Sequence, residues 1–245
     1  MDNSKFTKSP RLYVSQELSQ HSTIELINDQ AHYIKNVMRL EQKDWIRLFN
    51  GRDGEWLYSI QDITKRAIKA APSEQLKEQP NNKSRIHLLF APIKKARMDF
   101  LIEKSVELGV THLHPVITDH TEVRKINQDR VHKQIIEASE QCERLDIPEL
   151  YPASPMMSAL SNWQEDYKIF ACLERSKALR LSNALSDSTH FACLVGPEGG
   201  FSDKERQALM EISHIQPIFL GNQIFRAETA CLVCLSFFNQ IAEFH

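Results

Sequence analysis

The first seventy or so residues alternate polar and apolar positions in short runs, which is typical of half-buried strands. Strands are predicted at Arg11–Val14 and Thr23–Leu26. Asp29 can cap a helix from Gln30 to about Leu40, where apolar residues recur at helical spacing. One helix among short strands is therefore expected at this end of the chain.

A hairpin is predicted next, because the apolar runs WIRLF and EWLYSIQDI flank the turn Asn50–Gly54. Its Asn-Gly and Asp-Gly pairs supply positions that tolerate a positive φ. Strands this closely spaced favour a small β-barrel over residues 1–72. Residues 73–84 are polar, contain a proline and lack apolar periodicity, so they are predicted to be a linker.

Strand and helix patterns alternate over residues 85–245. The predicted strands are Arg85–Ile93, His112–Thr118, Tyr167–Glu174, Phe191–Gly196 and Gln216–Gly221. The predicted helices are Lys94–Gly109, Asp129 to about Leu145, a helix capped by Ser202 with Glu205 completing a capping box, and Ala227 to about Phe244. This alternation predicts an α/β domain whose parallel sheet is covered on both faces.

The amino-acid composition restricts the possible class of protein and its location. The 245 residues are 42% hydrophobic and 25% charged, and their net charge of −2 gives no overall signal for nucleic acid. The five scattered cysteines indicate reduced core thiols. Neither a membrane span nor a signal peptide is apparent, so a cytoplasmic protein with no membrane partner is expected.

Two turns at the predicted ligand-binding edge of the sheet are unusual. The turn Gly196–Gly200 follows a buried strand, and its glycines allow the backbone to approach a ligand closely. A plain strand-to-helix turn is an equally good explanation from the residues alone. The turn lacks the spacing of a phosphate loop or a dinucleotide fold.

The second turn leads from Leu220 into the last helix. Ile224 and Phe225 would be costly in water, so they are expected to line something apolar, either an adenine ring or another subunit. Glu228 suits the first turn of a helix. Arg226 does not, and it requires an anionic partner.

No metal site is predicted. His112 and His114 share one face of a strand without a third ligand, and Cys231 and Cys234 lie within an apolar helix. Packed or solvent-facing histidines and buried thiols are the favoured interpretation.

At these two turns the chain resembles the RsmE family of ribosomal RNA small subunit methyltransferases, which belong to the SPOUT class and modify N3 of a uridine in 16S rRNA. The resemblance extends over almost the whole chain. Its matching segments, in order, are RLYV, HYIKNVMRL, LFNGRDGEW, IKKARMDFLIEKSVELGVTHLHPVIT, TEVRK, IIEASEQCER, LVGPEGGFSDKE and LGNQIFRAETA.

The resemblance implies a PUA-like RNA-binding barrel followed by a SPOUT methyltransferase domain with a C-terminal trefoil knot, which dimerises through that knot. It implies S-adenosylmethionine held by three loops, largely through backbone groups. The implied cofactor-binding residues are Leu173, Glu174, Val195, Gly196, Pro197, Glu198, Gly199, Gly200, Leu220, Gly221, Asn222, Ile224, Phe225, Arg226, Glu228 and Thr229.

For the reaction itself, Arg226 is the candidate to hold a phosphate or a charged base oxygen, and Glu198 the candidate for positioning or proton acceptance. The candidates to bind RNA are Arg11, Arg39, Arg52, Lys94, Arg97 and Arg124. The family commonly has a basic residue where this chain has Asn222-Gln223. A phosphate contact from that position is therefore not expected here.

Two other functions remain open at this point. The chain is either an enzyme, or an RNA-binding assembly factor that kept the fold and lost methyl transfer. An enzyme of the same class that acts on transfer RNA is the further alternative. The intact GPEGG turn argues against the assembly factor.

Overall fold

The computed structural model describes residues 9–81, 84–173, 178–184 and 190–242. The chain divides into two compact units. The first contains Met1–Asn82 and Ser139–Ile147, and the second contains Lys83–Ala138 and Pro148–His245.

The first unit is built on a five-stranded sheet. Its strands are β1 (Arg11–Tyr13), β2 (Ile24–Ile27), β3 (Trp45–Phe49), β4 (Glu55–Ile63) and β5 (Ala67–Lys77). They lie in the order β1-β3-β4-β5-β2, in which only the β1–β3 pair is parallel. The predicted hairpin is β3–β4, and Gly51 and Gly54 in its turn both have positive φ, as predicted.

The predicted linker is wrong over residues 73–77, because β5 continues to Lys77. Gln75 pairs with Trp56 and Lys77 with Glu55 along β4. One face of this strand is open to solvent, so its polar residues carry no apolar pattern. The first helix is also shorter than predicted. The helix α1 (Asn28–His32) passes into a π-helical segment, Tyr33–Val37.

Arg11 is buried in the first unit, where it holds the chain together. Its guanidinium pairs with Glu55, donates hydrogen bonds to the carbonyl oxygens of Ser139 and Arg144, and lies 3.6 Å above the centre of the Phe49 ring. A guanidinium whose donors are engaged in this way is not free to bind phosphate. The expectation that Arg11 binds RNA is therefore wrong for this structure.

The second unit contains a wholly parallel sheet in the order β11-β13-β10-β12-β6-β7-β8, with β9 paired to β7. Its strands are β6 (Arg85–Phe90), β7 (His112–Ile117), β8 (Glu149–Leu150), β9 (Ser154–Pro155), β10 (Ile169–Cys172), β11 (Leu179–Arg180), β12 (His190–Val195) and β13 (Ile215–Phe219). The remaining helices are α2 (Lys95–Glu107), α3 (Gln128–Gln141), α4 (Met156–Ser161), α5 (Leu181–Ala184), α6 (Asp203–Glu211) and α7 (Ala227–Ala242).

Both faces of this sheet are covered, as predicted. On one face, Phe191 of β12 stacks on Phe238 of α7 with ring centroids 4.7 Å apart. On the other face, Leu194 lies in a core with Leu160 of α4 and Leu209 of α6. Since alternate residues of β12 face different layers, every residue after its first is buried.

The cysteines are free, and the prediction of core thiols is confirmed for the buried Cys193, Cys231 and Cys234, whereas Cys142 and Cys172 are half-buried. The Sγ atoms of Cys172 and Cys234 lie 3.5 Å apart. Burial raises the pKa of the Cys231 thiol well above its ordinary value, so this thiol is not primed for redox chemistry. No helix in the described part of the chain is long and apolar enough to span a membrane.

Candidate cofactor and RNA site

Three loops meet at one edge of the parallel sheet. The strands β13, β10 and β12 are neighbours, so their carboxyl ends lie side by side. Leu173 follows β10, the glycine-rich turn follows β12, and the second unusual turn follows β13. Ligands of parallel sheets bind at this edge.

The loops enclose a cavity of about 400 Å³, which is within the range of small-molecule sites. Residues expected to bind cofactor that line it are Leu173, Val195, Gly196, Pro197, Glu198, Gly200, Leu220, Gly221, Asn222, Ile224, Phe225 and Arg226. Lining residues outside the expected loops are Cys172, Phe201, Arg206, Ile218, Phe219 and Ala230, whereas Gln223 and Ala227 lie within the second unusual turn, which was expected to bind the cofactor.

The glycine-rich turn is shaped by packing on one side and by the cavity on the other. A Cβ at Gly196 would lie only 3.1 Å from the Phe201 ring, so a larger residue would displace that ring. Gly200 donates a 2.8 Å backbone hydrogen bond to the Pro197 carbonyl oxygen and has a φ of +67°. Apart from its chain neighbours, no atom of the described residues lies within 4 Å of the place that a Cβ would take. Its backbone therefore borders open space that a ligand could fill.

The second loop presents apolar side chains and a cation. Ile224 is 62% exposed and Phe225 is partly buried, and both line the cavity. Arg226 is exposed, and none of the hydrogen bonds or ion pairs of the described residues involves its guanidinium. The anionic partner that its position calls for is thus not supplied by the described part of this chain.

Glu228 is buried in the first turn of α7, between Ala227 and Ala230, which both line the cavity. Its Oε2 atom has no hydrogen-bond partner in the described part of the chain. A buried carboxylate oxygen without a donor is costly, so a ligand that brings a donor would satisfy it.

Glu198 and Arg97, which the sequence suggested for different roles, lie together. Arg97 Nη1 donates a 3.0 Å hydrogen bond to Glu198 Oε1, and each side chain is 38% exposed. Lys94 forms an exposed ion pair with Glu122 at 3.1 Å, and Arg124 donates a weak 3.4 Å hydrogen bond to a loop carbonyl. Arg97 therefore contacts a residue that lines the cavity, and Arg124 contacts Asp119, which is bonded to Ser202 beside the glycine-rich turn.

Some expected residues do not line the cavity. Gly199 packs against His120, Thr229 is exposed, Glu228 is buried behind the lining residues Ala227 and Ala230, and Glu174 lies outside the described residues. In the first unit, Arg39 and Arg52 are exposed, which leaves them available to bind RNA.

The sequence did not reveal the connection between the turn after β7 and the glycine-rich turn. Glu205 is buried and accepts hydrogen bonds from the backbone N–H groups of Asp119 and Ser202, each at 2.9 Å. Ser202 in turn donates to Asp119 Oδ2 at 2.6 Å. The predicted capping box at Ser202 and Glu205 is confirmed, but its bond to a distant loop could not be inferred from spacing.

The histidines of β7 lie in a packed cluster, which is one of the two arrangements that the sequence left open, and His87 of β6 joins them. The His87 and His112 rings stack at 4.1 Å, and His87 Nδ1 lies 2.9 Å from His114 Nε2. Burial, with the neighbouring imidazoles, lowers the pKa of His87 to about 2 and that of His114 to about 4. No group of three potential metal ligands is found among the described residues.

Both units of this chain are similar to known proteins. Residues 80–239 match the family described as "RNA methyltransferase domain", and residues 26–73 match "RNA methyltransferase PUA domain". A ribosomal RNA small subunit methyltransferase E from Rickettsia conorii is 38% identical over 233 residues, which cover 94% of each chain.

Two solved structures are similar over nearly their full length. A ribosomal RNA small subunit methyltransferase E from Neisseria gonorrhoeae, bound to S-adenosylmethionine, has a TM-score of 0.86 and 29% identity over 95% of this chain and 98% of its own. A methyltransferase from Legionella pneumophila, also with bound cofactor, has a TM-score of 0.84 and 29% identity over 96% and 98%.

The fold and the three-loop cavity thus define a SPOUT-type RNA methyltransferase domain preceded by a PUA domain. Within that class, the match to the Rickettsia protein identifies the family, because the two chains are 38% identical over 94% of each. The chain belongs to the ribosomal RNA small subunit methyltransferase E family.

Proposed function

We propose that this protein transfers a methyl group from S-adenosylmethionine to N3 of a uridine in 16S rRNA of the small ribosomal subunit. The observation that carries the proposal is the cavity of about 400 Å³ formed by the loops after β10, β12 and β13. Family membership supports the substrate, and the place of action is then the cytoplasm, where ribosomal subunits are assembled.

The residues of the cavity fit the cofactor. Its adenine ring suits the apolar side chains of Ile224 and Phe225. Its amino groups and ribose hydroxyls are donors, and the unpartnered Oε2 of Glu228 is an acceptor for one of them. The open side of Gly200 admits a ligand close to the backbone. When bound, the cofactor supplies an electrophilic methyl group on a sulfonium.

The protein must also bind the target base and stabilise the negative charge that develops on it. Uridine N3 is reached only when the nucleotide is turned out of its stack. Arg226 is free to contact a phosphate or the base oxygen that gains negative charge. The ion pair with Arg97 fixes the side chain of Glu198, which lines the cavity, in a position where it can contact the target nucleotide.

The remaining contacts with RNA are made by exposed basic residues. Arg39 and Arg52 serve this role in the PUA domain, and Lys94, Arg97 and Arg124 serve it in the methyltransferase domain. All of these are surface groups, so their contribution to affinity is expected to weaken with rising salt.

The active form is proposed to be a homodimer made through the C-terminal region. Phe237 of α7 and Phe100 of α2 are 39% and 46% exposed on helices that pack together, and a partner would cover them. After β13, α7 returns to pack on β6, β12 and α2, which supports the knotted path that the resemblance implies. Sedimentation equilibrium should give twice the chain mass, and a monomer at working concentration would contradict the dimer.

The function is tested by incubating the purified protein with labelled cofactor and small subunits from a strain that lacks the corresponding enzyme. Labelled 3-methyluridine in digested 16S rRNA is expected. Label only in added transfer RNA would support the transfer RNA enzyme instead. Failure both to bind cofactor and to transfer label would support a non-catalytic assembly factor.

A further inference from the structure

His120 contacts the glycine-rich turn that borders the cofactor cavity, without itself lining the cavity, and has no assigned role. It follows β7 by three residues, at the same edge of the sheet as the glycine-rich turn. Its Cβ would be 3.2 Å from a Cβ on Gly199, so the imidazole is packed against that turn. The ring is otherwise exposed to solvent.

The loop that carries His120 is held rigidly. Thr118 and Thr121 close it with a 2.9 Å bond from the Thr118 backbone N–H to Thr121 Oγ1 and a 2.8 Å contact between their hydroxyls. The backbone N–H of Asp119 donates to the buried Glu205 carboxylate. His120 is therefore fixed relative to α6 and to the turn that precedes it.

The contacts of His120 define which nitrogen carries the proton. Nδ1 lies 3.1 Å from the Gly199 carbonyl oxygen and 3.2 Å from that of Gly200. Carbonyl oxygens only accept hydrogen bonds, so Nδ1 must be the N–H donor. In the neutral ring the lone pair then lies on Nε2, which has no hydrogen-bond partner in the described part of the chain.

We propose that His120 is the general base that accepts the proton from uridine N3 during methyl transfer. This inference rests on the proposed function. The N3–H bond breaks toward Nε2 of His120, and the freed electron pair on N3 forms the bond to the methyl carbon. The methyl–sulfur bond breaks with its electrons going to sulfur, which yields the neutral thioether. The imidazolium then returns its proton to water.

His120 suits this role better than Glu198. Oε1 of Glu198 already accepts a hydrogen bond from the guanidinium of Arg97, whereas Nε2 of His120 has no partner among the described residues. An imidazole is in general a stronger base than a carboxylate, and it is closer to the acidity of a uridine imide. The two carbonyl oxygens also orient the ring, as the third member of a catalytic triad does.

The test separates proton acceptance from loop positioning through His120→Asn. The asparagine amide nitrogen can occupy the place of Nδ1 and donate to both carbonyl oxygens, but it cannot accept the proton. His120→Ala removes both functions. His132→Asn is the matched control, because His132 is an exposed histidine on α3 outside the cavity. Each protein is assayed for cofactor dissociation constant and for single-turnover methylation.

Two substrates are compared: small subunits reconstituted with 16S rRNA containing uridine, and the same with 5-fluorouridine, whose N3 proton is more acidic. H120N is expected to methylate the uridine substrate about 100-fold more slowly than the wild-type protein, with unchanged cofactor affinity. On the fluorinated substrate its deficit should fall to roughly tenfold or less, since a weaker base then suffices. H132N should match the wild-type protein on both.

Two results would overturn the assignment. One is near-normal turnover of H120N on uridine, which would leave His120 as a loop contact only. The other is an equal deficit on both substrates, which would mean that proton removal is not what the variant lacks. Absence of 3-methyluridine with the wild-type protein would instead contradict the proposed function.

Discussion

Arg226 and Glu228 are two positions apart at the start of α7, and among the described residues neither finds the full set of partners that its charge requires. Arg226 is exposed and contacts no anion in that part of the chain, and one oxygen of the buried Glu228 accepts no hydrogen bond there. One of these charged side chains is exposed and the other is buried, so they are suited to two different ligands. The buried carboxylate suits the cofactor, and the exposed guanidinium suits the RNA.

Arg226→Ala is therefore predicted to separate catalysis from cofactor binding. Methyl transfer to small subunits should fall by about 100-fold, the usual effect of losing one group that stabilises developing charge. The cofactor dissociation constant should change by no more than about threefold, well under 1 kcal/mol. Near-normal turnover in this variant would remove Arg226 from the mechanism.

Glu228→Gln is predicted to act in the opposite way. It removes the charge while keeping the shape, and cofactor affinity should fall by about tenfold, in line with a hydrogen bond to a charged group. Isothermal titration calorimetry measures this, with the exposed Glu137→Gln on α3 as the control. If E228Q loses stability but keeps its affinity, Glu228 serves the helix dipole alone.

At the scale of elements, the site depends on the join between α6, the turn before it and the loop after β7. The sequence predicted both turns, because glycine and proline mark them directly, and it predicted the capping box at Ser202. It could not predict that Glu205 also binds Asp119, since their separation along the chain carries no pattern. Strand β5 was missed over residues 73–77 for a similar reason, as its pairing with β4 compensates for polar residues.

Glu205→Ala should destabilise the protein and loosen the cavity. Two backbone N–H groups lose their acceptor, so the free energy of unfolding is expected to fall by about 2 kcal/mol. Urea denaturation measures this, and the exposed Glu211→Ala on the same helix should change it by less than about 0.5 kcal/mol. Equal effects of both substitutions would show that the bridge between the loops contributes nothing.

The histidine cluster of β6 and β7 should make the fold acid-sensitive. His87 and His114 have pKa values of about 2 and about 4 in the folded protein, against 6.5 when unfolded. Because the unfolded chain binds these protons first, stability is complete above pH 6.5 and declines as the pH falls toward 4. Each histidine contributes a slope of up to about 1.4 kcal/mol per pH unit.

The measurement is the free energy of unfolding from pH 7.5 to 4.5 in the wild-type protein and in H87F/H114F. The double substitution should flatten the pH dependence, whereas His132→Phe at an exposed site should leave it unchanged. Parallel curves for wild-type and double variant would mean that carboxylates alone account for the acid sensitivity.

At the scale of the whole molecule, the two units correspond to a PUA domain and an RNA methyltransferase domain. Alternating strand and helix patterns were enough to predict the parallel sheet, but not its strand order. That order brings the loops after β10, β12 and β13 together. For Arg11 the sequence led to the wrong prediction, because a basic residue near the terminus suggests contact with RNA. Its burial depends on contacts with Glu55 and with residues 139–144. Sequence spacing does not encode such distant contacts.

The central claim is that the backbone of these loops binds S-adenosylmethionine, and Gly200→Asn tests it most directly. Asparagine tolerates the positive φ at this position, and its side chain would enter the space beside the turn. Gly51→Asn is the matched control, since Gly51 in the PUA domain has a φ of +82° and a Cβ there would make only ordinary van der Waals contacts, the nearest at 3.8 Å. Calorimetric titration should show that G51N binds the cofactor like the wild-type protein and that G200N binds at least about tenfold more weakly, a loss of about 1.4 kcal/mol. Equal affinity in G200N, or no binding by the wild-type protein, would contradict the account.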